Sequence, residues 1–231
     1  MLCLSVAALL RPAPSSAAGS YYAIGGSEWD TEGQSFSYIG GGATRPLDGS
    51  WSVVGKVFAG YLDYKFESNG QTLDAEVPIL TPAAGFQFHR GPYTLGGSLG
   101  LDLRKAKKEQ PGGGSQTSSD AGLSVQGEAY VELSERKSLE AIVSYSTIEN
   151  FFWARGRVKK PVYEFGGGVG VIKAGVEAVG MGNEDFSAFQ AGVLAEILKA
   201  SGFSVLVKTG YKHSSALNAA GYGGVELYYG F

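Results

Sequence analysis

Apolar and polar residues alternate along the chain from Tyr93 to Leu103. The apolar positions are Tyr93, Leu95, Gly97, Leu99, Leu101 and Leu103, and the positions between them are Thr94, Gly96, Ser98, Gly100 and Asp102. A period of two predicts a strand with one apolar and one polar face. The alternation resumes from Leu123 to Leu133, after a polar stretch at residues 105–120 that we interpret as a loop. The two segments together predict an antiparallel hairpin.

The same alternation, interrupted by turn residues, predicts about twelve strands between residues 20 and 231. Proline occurs inside the fourth of them, at Pro78 and Pro82. Because proline cannot donate to a ladder, we expect a bulge or a break there. Residues 191–200 also have helix propensity, but a strand at this place pairs with its neighbours. We therefore predict an all-β chain.

Two kinds of all-β protein fit this alternation. In a soluble, lipocalin-like barrel the apolar face turns inward, whereas in a transmembrane barrel it faces lipid and the polar face lines a lumen. Strands of about ten residues are long enough to cross a bilayer when tilted. The pattern predicts short connections at one end of the strands and longer ones, such as residues 105–120, at the other. An even strand number, this segregation and the aromatic last residue, Phe231, favour an antiparallel transmembrane β-barrel.

Composition agrees with this interpretation and excludes other classes. The chain has 36 glycines, where average usage predicts roughly 16, and glycine suits a curved barrel wall. The 13 tyrosines and 12 phenylalanines are typical of membrane interfaces. A net charge of −3 without a basic stripe argues against nucleic acid as a partner. No run of 18 apolar residues occurs, which excludes a helical membrane protein.

Residues 1–19 resemble an export signal. An apolar run at residues 2–10 is followed by small residues at 16–18 that suit a cleavage site, and the single cysteine, Cys3, lies in this segment. We expect residues 1–19 to be a signal peptide or its remnant, and residues 20–231 to form one outer-membrane barrel domain. A disordered apolar tail is the alternative.

Charged residues fall on the face that a membrane barrel turns inward. The tentative lumen or binding residues are Asp102, Arg104, Glu128, Glu132, Trp153, Arg155, Arg157, Lys173, Glu177 and Lys208. Acids, including Asp74 and Glu76, concentrate on the fourth to sixth strands, and cations on the eighth, ninth and eleventh. This distribution predicts either a transverse field that orders a polar solute, or charges that pair and plug a narrow lumen. Trp153 could stack on a sugar ring or simply fill space.

Catalytic and metal-binding patterns are weak. The two histidines are His89 and His213, and the neighbouring Ser214 gives no nucleophile–base geometry by adjacency alone. The outer loop at residues 182–185 offers oxygen ligands, but without the spacing of a calcium loop. We expect no enzyme, no cofactor and no metal site.

Several motifs along the mature region resemble a known family. They are AGFQF at residues 84–88 with Gly91-Pro92, GLD at 100–102, SYST at 144–147, FWARGR at 152–157 and GNED at 182–185. In this order they resemble the cellulose biosynthesis protein BcsS family. The resemblance implies a Gram-negative outer-membrane barrel in contact with outer-membrane lipid. It also implies a non-enzymatic role in cellulose biosynthesis or export, with cellulose, another glucan or the cellulose synthase machinery as partner. A general small-solute porin or a plugged structural barrel is the alternative.

Overall fold

Twelve antiparallel strands form a closed barrel in the computed structural model of this chain, which describes residues 19–68, 70–133, 137–215 and 219–231. The strands are β1 (Ser20–Asp30), β2 (Ser35–Asp48), β3 (Trp51–Ser68), β4 (Gln71–Arg90), β5 (Tyr93–Glu109), β6 (Ser115–Glu132), β7 (Ser138–Ser146), β8 (Phe151–Phe165), β9 (Gly170–Gly182), β10 (Ser187–Lys199), β11 (Phe203–Ser214) and β12 (Ala220–Gly230). Each strand pairs with its neighbours in sequence, and β1 closes the barrel against β12. The predicted all-β, twelve-stranded barrel is confirmed.

Helical structure in the described part of the chain is limited to two three-residue 3-10 turns, at residues 148–150 and 166–168. None of the described residues forms a helix with the length and apolar character needed to cross a membrane. The segment at residues 191–200, which has helix propensity, lies in β10 up to Lys199 and is a strand. Pairing with β9 and β11 therefore overrides local propensity here.

The stretch at residues 105–120 is mostly strand, which corrects its interpretation as a loop. Lys105 pairs with Ser119 and Glu109 with Ser115, so the β5–β6 ladder continues to a short turn. Three successive glycines with positive φ, Gly112, Gly113 and Gly114, make that turn possible. The gaps between strands are two to five residues at both ends of the barrel. The asymmetry lies in strand length instead, because β3 to β6 have 17 to 20 residues.

The prolines of β4 interrupt one ladder without a bulge. The β3–β4 register is continuous through Pro78 and Pro82. In the β4–β5 ladder the pairs at residues 77–78 and 81–82 are missing, yet Ile79 and Ala83 keep the same register. Pro78 and Pro82 have no N–H group to donate towards β5, which explains these gaps. Of the expected bulge or break, the structure has a break, and it affects only the β4–β5 ladder.

The outer face of the barrel carries an apolar band between two aromatic girdles. We call the end where β1 begins the inner end and the opposite end the outer end. The inner girdle contains the exposed side chains Tyr21, Trp51, Tyr93, Tyr163 and Phe231, and the outer girdle contains Trp29, Tyr61, Tyr145, Phe152, Phe189 and Tyr211. Tyr21 and Trp29 are eight positions apart on β1, and Trp51 and Tyr61 are ten positions apart on β3. These spacings correspond to roughly 26–33 Å along a strand. Because the strands are tilted, the distance along the membrane normal is about 20–25 Å, close to the usual height of the apolar band of such barrels.

Beyond the outer girdle, the polarity of the wall inverts. On β4, Ala75 and Val77 are buried inside at 0% and 2% exposure, while Asp74 and Glu76 point outward and are exposed. Glu76 lies 3.9 Å from the ammonium nitrogen of Lys107 on the outer face of β5. Asp74 and Glu76 are therefore not lumen residues, which corrects the sequence interpretation. The side-chain period is unchanged, but here water, rather than lipid, surrounds the wall.

Candidate functional site

Ionised side chains fill much of the barrel interior beside β7 to β12 and β1. Every second residue of β8 projects inward, so Arg155, Arg157 and Lys159 follow one another along the lumen and are all buried. Acidic residues from neighbouring and facing strands surround these cations. We call the following residues the charge cluster: Glu28, Glu140, Arg155, Arg157, Lys159, Glu177, Glu196, Lys208 and Glu226.

Arg157 lies at the centre of the charge cluster, with 1% of its surface exposed. Its Nη1 and Nη2 donate to the two carboxylate oxygens of Glu226, at 2.8 and 2.6 Å. Its Nε donates to Oε2 of Glu177 at 2.5 Å. Planar guanidinium groups form such two-point contacts with carboxylates, which fix the position of both partners. The contacts connect β8 to β9 and, across the lumen, to β12.

Two lysines extend the charge cluster. The Nζ of Lys208 lies 2.6 Å from Oε2 of Glu28 and 3.2 Å from Oε1 of Glu177. Lys159 pairs with Glu140 and, at 2.9 Å, with Oε2 of Glu196. Nearly all of these groups are excluded from water, so removal of one partner would leave an opposite charge buried without compensation.

Only some of the acids that neutralise β8 lie where the sequence indicated, Glu177 among them. The carboxylates that pair with the β8 cations lie on β7, β9, β10 and β12 rather than on strands four to six. This pairing favours the predicted alternative in which the charges neutralise one another inside the lumen over the transverse field. Sequence reasoning missed Glu28, Glu140 and Glu226 as lumen residues. The alternation contained a signal for Glu226, because its neighbours Val225 and Leu227 occupy the other face of β12.

The other predicted lumen residues form two smaller groups or lie apart. Arg104 donates from Nη2 to Asp102 at 2.5 Å, and the hydroxyl of Ser146 donates to the same carboxylate at 2.6 Å. Lys56 on β3 pairs with Glu128 on β6 at 2.5 Å. Lys173 is half-buried on β9 and in register with Glu196, whereas Glu132 is exposed at the inner end of β6. Glu132 therefore does not share the interior with the others.

A buried apolar cluster occupies the outer half of the interior. We call it the apolar cluster; its members are Phe36, Phe58, Leu62, Tyr64, Ala75, Val77, Ile79, Ala106, Ile142, Phe151, Trp153, Val179, Met181, Phe186 and Ala188. Trp153 is 2% exposed within it. The guanidinium carbon of Arg155 lies 5.5 Å from the centre of the indole ring. This packing favours the interpretation of Trp153 as a space-filling residue over that of a sugar platform.

Two of the cavities within the described interior bear on function. The first is lined on one side by Ser98, Ser124 and Ser144, and we call it the serine-lined cavity. The second lies between the charge cluster and the apolar cluster and is lined by Tyr38, Trp153 and Arg155, among others; we call it the donor-lined cavity. Small inward residues of β2 to β6, such as Gly40 and Ala83, leave room for the first.

The candidate catalytic residues do not form a site in the described strands. His213 is exposed on the outer face of β11, while Ser214 is buried on the inner face, so the two side chains point in opposite directions. Among the described residues, no group of three or more histidine, cysteine, aspartate or glutamate side chains could hold a metal ion.

The closed wall, its lipid-facing apolar band and its ionic interior define a transmembrane β-barrel of the bacterial outer membrane. Solved structures with this fold agree. The β-domain of the Bordetella autotransporter BrkA has a TM-score of 0.60 and 15% identity, covering 93% of this chain and 99% of that one. The translocator domain of the autotransporter NalP from Neisseria meningitidis has a TM-score of 0.53 and 14% identity, covering 91% of this chain and 87% of that one.

The family whose sequences match the chain is described as cellulose biosynthesis protein BcsS, and the match spans residues 15–231. The chain belongs to this family, as the motifs at residues 84–185 predicted. No curated protein matches the chain. The protein is therefore a barrel associated with cellulose biosynthesis, located in the bacterial outer membrane and in contact with its lipid.

Proposed function

We propose that this protein is a non-enzymatic, plugged barrel that supports cellulose export or the organisation of cellulose at the cell surface. The observation that supports it is the filled interior. The charge cluster holds Arg157 at 1% exposure, and the apolar cluster holds Leu62 at 1% exposure nearer the outer end. A lumen filled by its own side chains suits a scaffold better than a transport route. Its partners in this role are the cellulose synthase machinery or the glucan itself.

Deletion of the gene tests the role in cellulose biosynthesis. We expect the deletion strain to secrete less cellulose, and the wild-type gene to restore secretion. An Arg155→Ala/Arg157→Ala variant should fail to restore it, because the charge cluster that holds β8 against β9 and β12 is lost. Arg45→Ala/Arg90→Ala, which changes two exposed arginines, is the matched control and should restore it. Normal cellulose in the deletion strain would contradict the proposal.

A small-solute porin is the second candidate. The serine-lined cavity favours a porin because hydroxyl groups and small side chains border part of the interior. Conductance in planar bilayers separates the two functions. The plugged scaffold predicts no sustained open current from the purified wild-type barrel, whereas a porin predicts sizeable steps. Sustained wild-type currents would therefore reject the plugged scaffold.

A further inference from the structure

Three residues that line the donor-lined cavity each carry a buried polar atom without a hydrogen-bond partner among the described residues. These atoms are the hydroxyl oxygen of Tyr38, Nε1 of Trp153 and Nη2 of Arg155, from β2 and β8. Buried polar groups are nearly always paired, so three such atoms around one cavity require an explanation. Each of the three can donate a hydrogen bond, and two of them can only donate.

The two carboxylates that border the same cavity, Glu28 and Glu226, already have partners. Glu28 accepts from Nε2 of Gln190 through Oε1 at 2.8 Å, and its Oε2 lies 2.6 Å from Nζ of Lys208. Arg155 shares its single carboxylate partner: its Nη1 lies 3.2 Å from Oε1 of Glu226, the oxygen that Arg157 also contacts at 2.6 Å. Arg155 thus has the weakest carboxylate contact of the four cations in the charge cluster, which leaves its guanidinium the most able to bind a further acceptor.

We propose that the donor-lined cavity binds one small monovalent anion of chloride or bromide size. An anion accepts hydrogen bonds from all three atoms and needs none in return, whereas one water molecule accepts only two and brings two hydrogens of its own. The guanidinium of Arg155 supplies a charge-assisted hydrogen bond, and the indole and phenol groups complete the shell. The anion would tie β2 to β8 across the interior. This inference is independent of the role in cellulose biosynthesis.

Refolding in different salts tests the proposal. The full chain is refolded from urea into detergent micelles in sodium chloride or in sodium gluconate of equal ionic strength, so that the buried cavity forms around whichever anion is present. Thermal midpoints are then read from the gel mobility that distinguishes folded from unfolded barrels. We expect the wild-type midpoint to be about 3 °C or more higher in chloride, since a ligand that binds only the folded state stabilises it.

Two conservative variants remove one donor each. Trp153→Phe and Tyr38→Phe should lose the difference between chloride and gluconate. In gluconate, loss of the donor itself should not lower the thermal midpoint of either variant, because that donor has no protein partner among the described residues. Trp29→Phe and Tyr211→Phe, on the outer girdle, are the matched controls and should keep the chloride effect.

Crystals grown in bromide give the direct measurement. We expect an anomalous peak within hydrogen-bond distance of Nε1 of Trp153 that disappears in Trp153→Phe. Equal wild-type midpoints in the two salts, or an ordered water that bromide does not replace, would overturn the proposal.

Discussion

At the scale of single residues, Arg157 depends on contacts that no neighbour along β8 supplies. Its partners, Glu177 and Glu226, lie 20 and 69 residues away in sequence. A fully buried arginine is tolerated only because these carboxylates balance its charge and use its donors. Removal of either the arginine or a carboxylate from such a pair is therefore expected to lower the stability of the barrel.

Replacement of Arg157 by methionine keeps an unbranched side chain but leaves Glu177 and Glu226 short of a cation. We expect a loss of about 3–5 kcal/mol in the free energy of unfolding, because buried carboxylates then lack compensation. Urea titration of the folded barrel in micelles measures it. Arg90→Met, at an exposed arginine, should change the midpoint little. An unchanged midpoint for Arg157→Met would show that the charge cluster contributes no net stability.

Close approach between strands makes a second residue-scale prediction. A Cβ at Gly85 would clash with the carbonyl oxygen of Gly97 on β5, whereas a Cβ at Gly97 would meet nothing within 4 Å. We expect Gly85→Ala to destabilise the barrel by about 1–3 kcal/mol through overpacking against backbone, and Gly97→Ala to be neutral. The same urea titration compares the two, and equal effects would contradict the stated packing.

Part of the interior could be predicted from residues alone. The alternation of Arg155, Gly156, Arg157, Val158 and Lys159 specifies that three cations share one face, and the structure places them there. Alternation cannot specify which acid meets which cation, because that depends on the register of strands far apart in sequence. Glu28 reaches Lys208 only because closure of the barrel brings β1 beside β12 and β11. The pairing was therefore beyond sequence reasoning, although the face was not.

At the scale of elements, β3 to β6 combine two environments in single strands. On β5, outward residues are apolar up to Leu103 and then become Lys105 and Lys107. From the sequence, we interpreted this change as the end of the strand, because a run of polar residues usually indicates a loop. The ladder to Ser115 shows that the backbone continues and that only the surroundings change. The point of change marks the boundary of the membrane on these strands.

An arginine scan across that boundary tests its position. Leu99 lies between the girdles with 57% exposure, and Ser119, paired with Lys105, lies beyond the outer girdle. We expect Leu99→Arg to cost about 2–4 kcal/mol of folding free energy in lipid bilayers, and Ser119→Arg about 0–1 kcal/mol. Folding into vesicles, followed by urea titration, gives both values. Similar costs at the two positions would place the boundary elsewhere.

At the scale of the whole molecule, closure depends on the seam between β1 and β12. Tyr21 and Phe231 exchange two backbone hydrogen bonds, of 2.8 and 2.9 Å, at the inner end of this seam. Their rings stack with centroids 5.8 Å apart, and the ring of Tyr229 lies 5.4 Å from that of Phe231. The seam joins the two strands most distant in sequence, so its loop-closure cost is the largest in the barrel. Side-chain contacts there stabilise the step that removes both sheet edges.

Phe231→Ala tests that contribution, because it removes the stacked ring but keeps both backbone hydrogen bonds. We expect a loss of roughly 1–3 kcal/mol, from two aromatic contacts, and slower appearance of the folded band when the chain is refolded into vesicles. Phe165→Ala is the matched control. It removes an exposed aromatic ring and its contact with Tyr163 at the inner end of β8, away from the seam, so it loses lipid and aromatic contact without weakening the closure. Equal losses of stability and rate in the two variants would mean that the ring of Phe231 acts only through the membrane interface. A larger loss for Phe231→Ala would show that aromatic contacts at the β1–β12 seam contribute to the stability of the closed barrel.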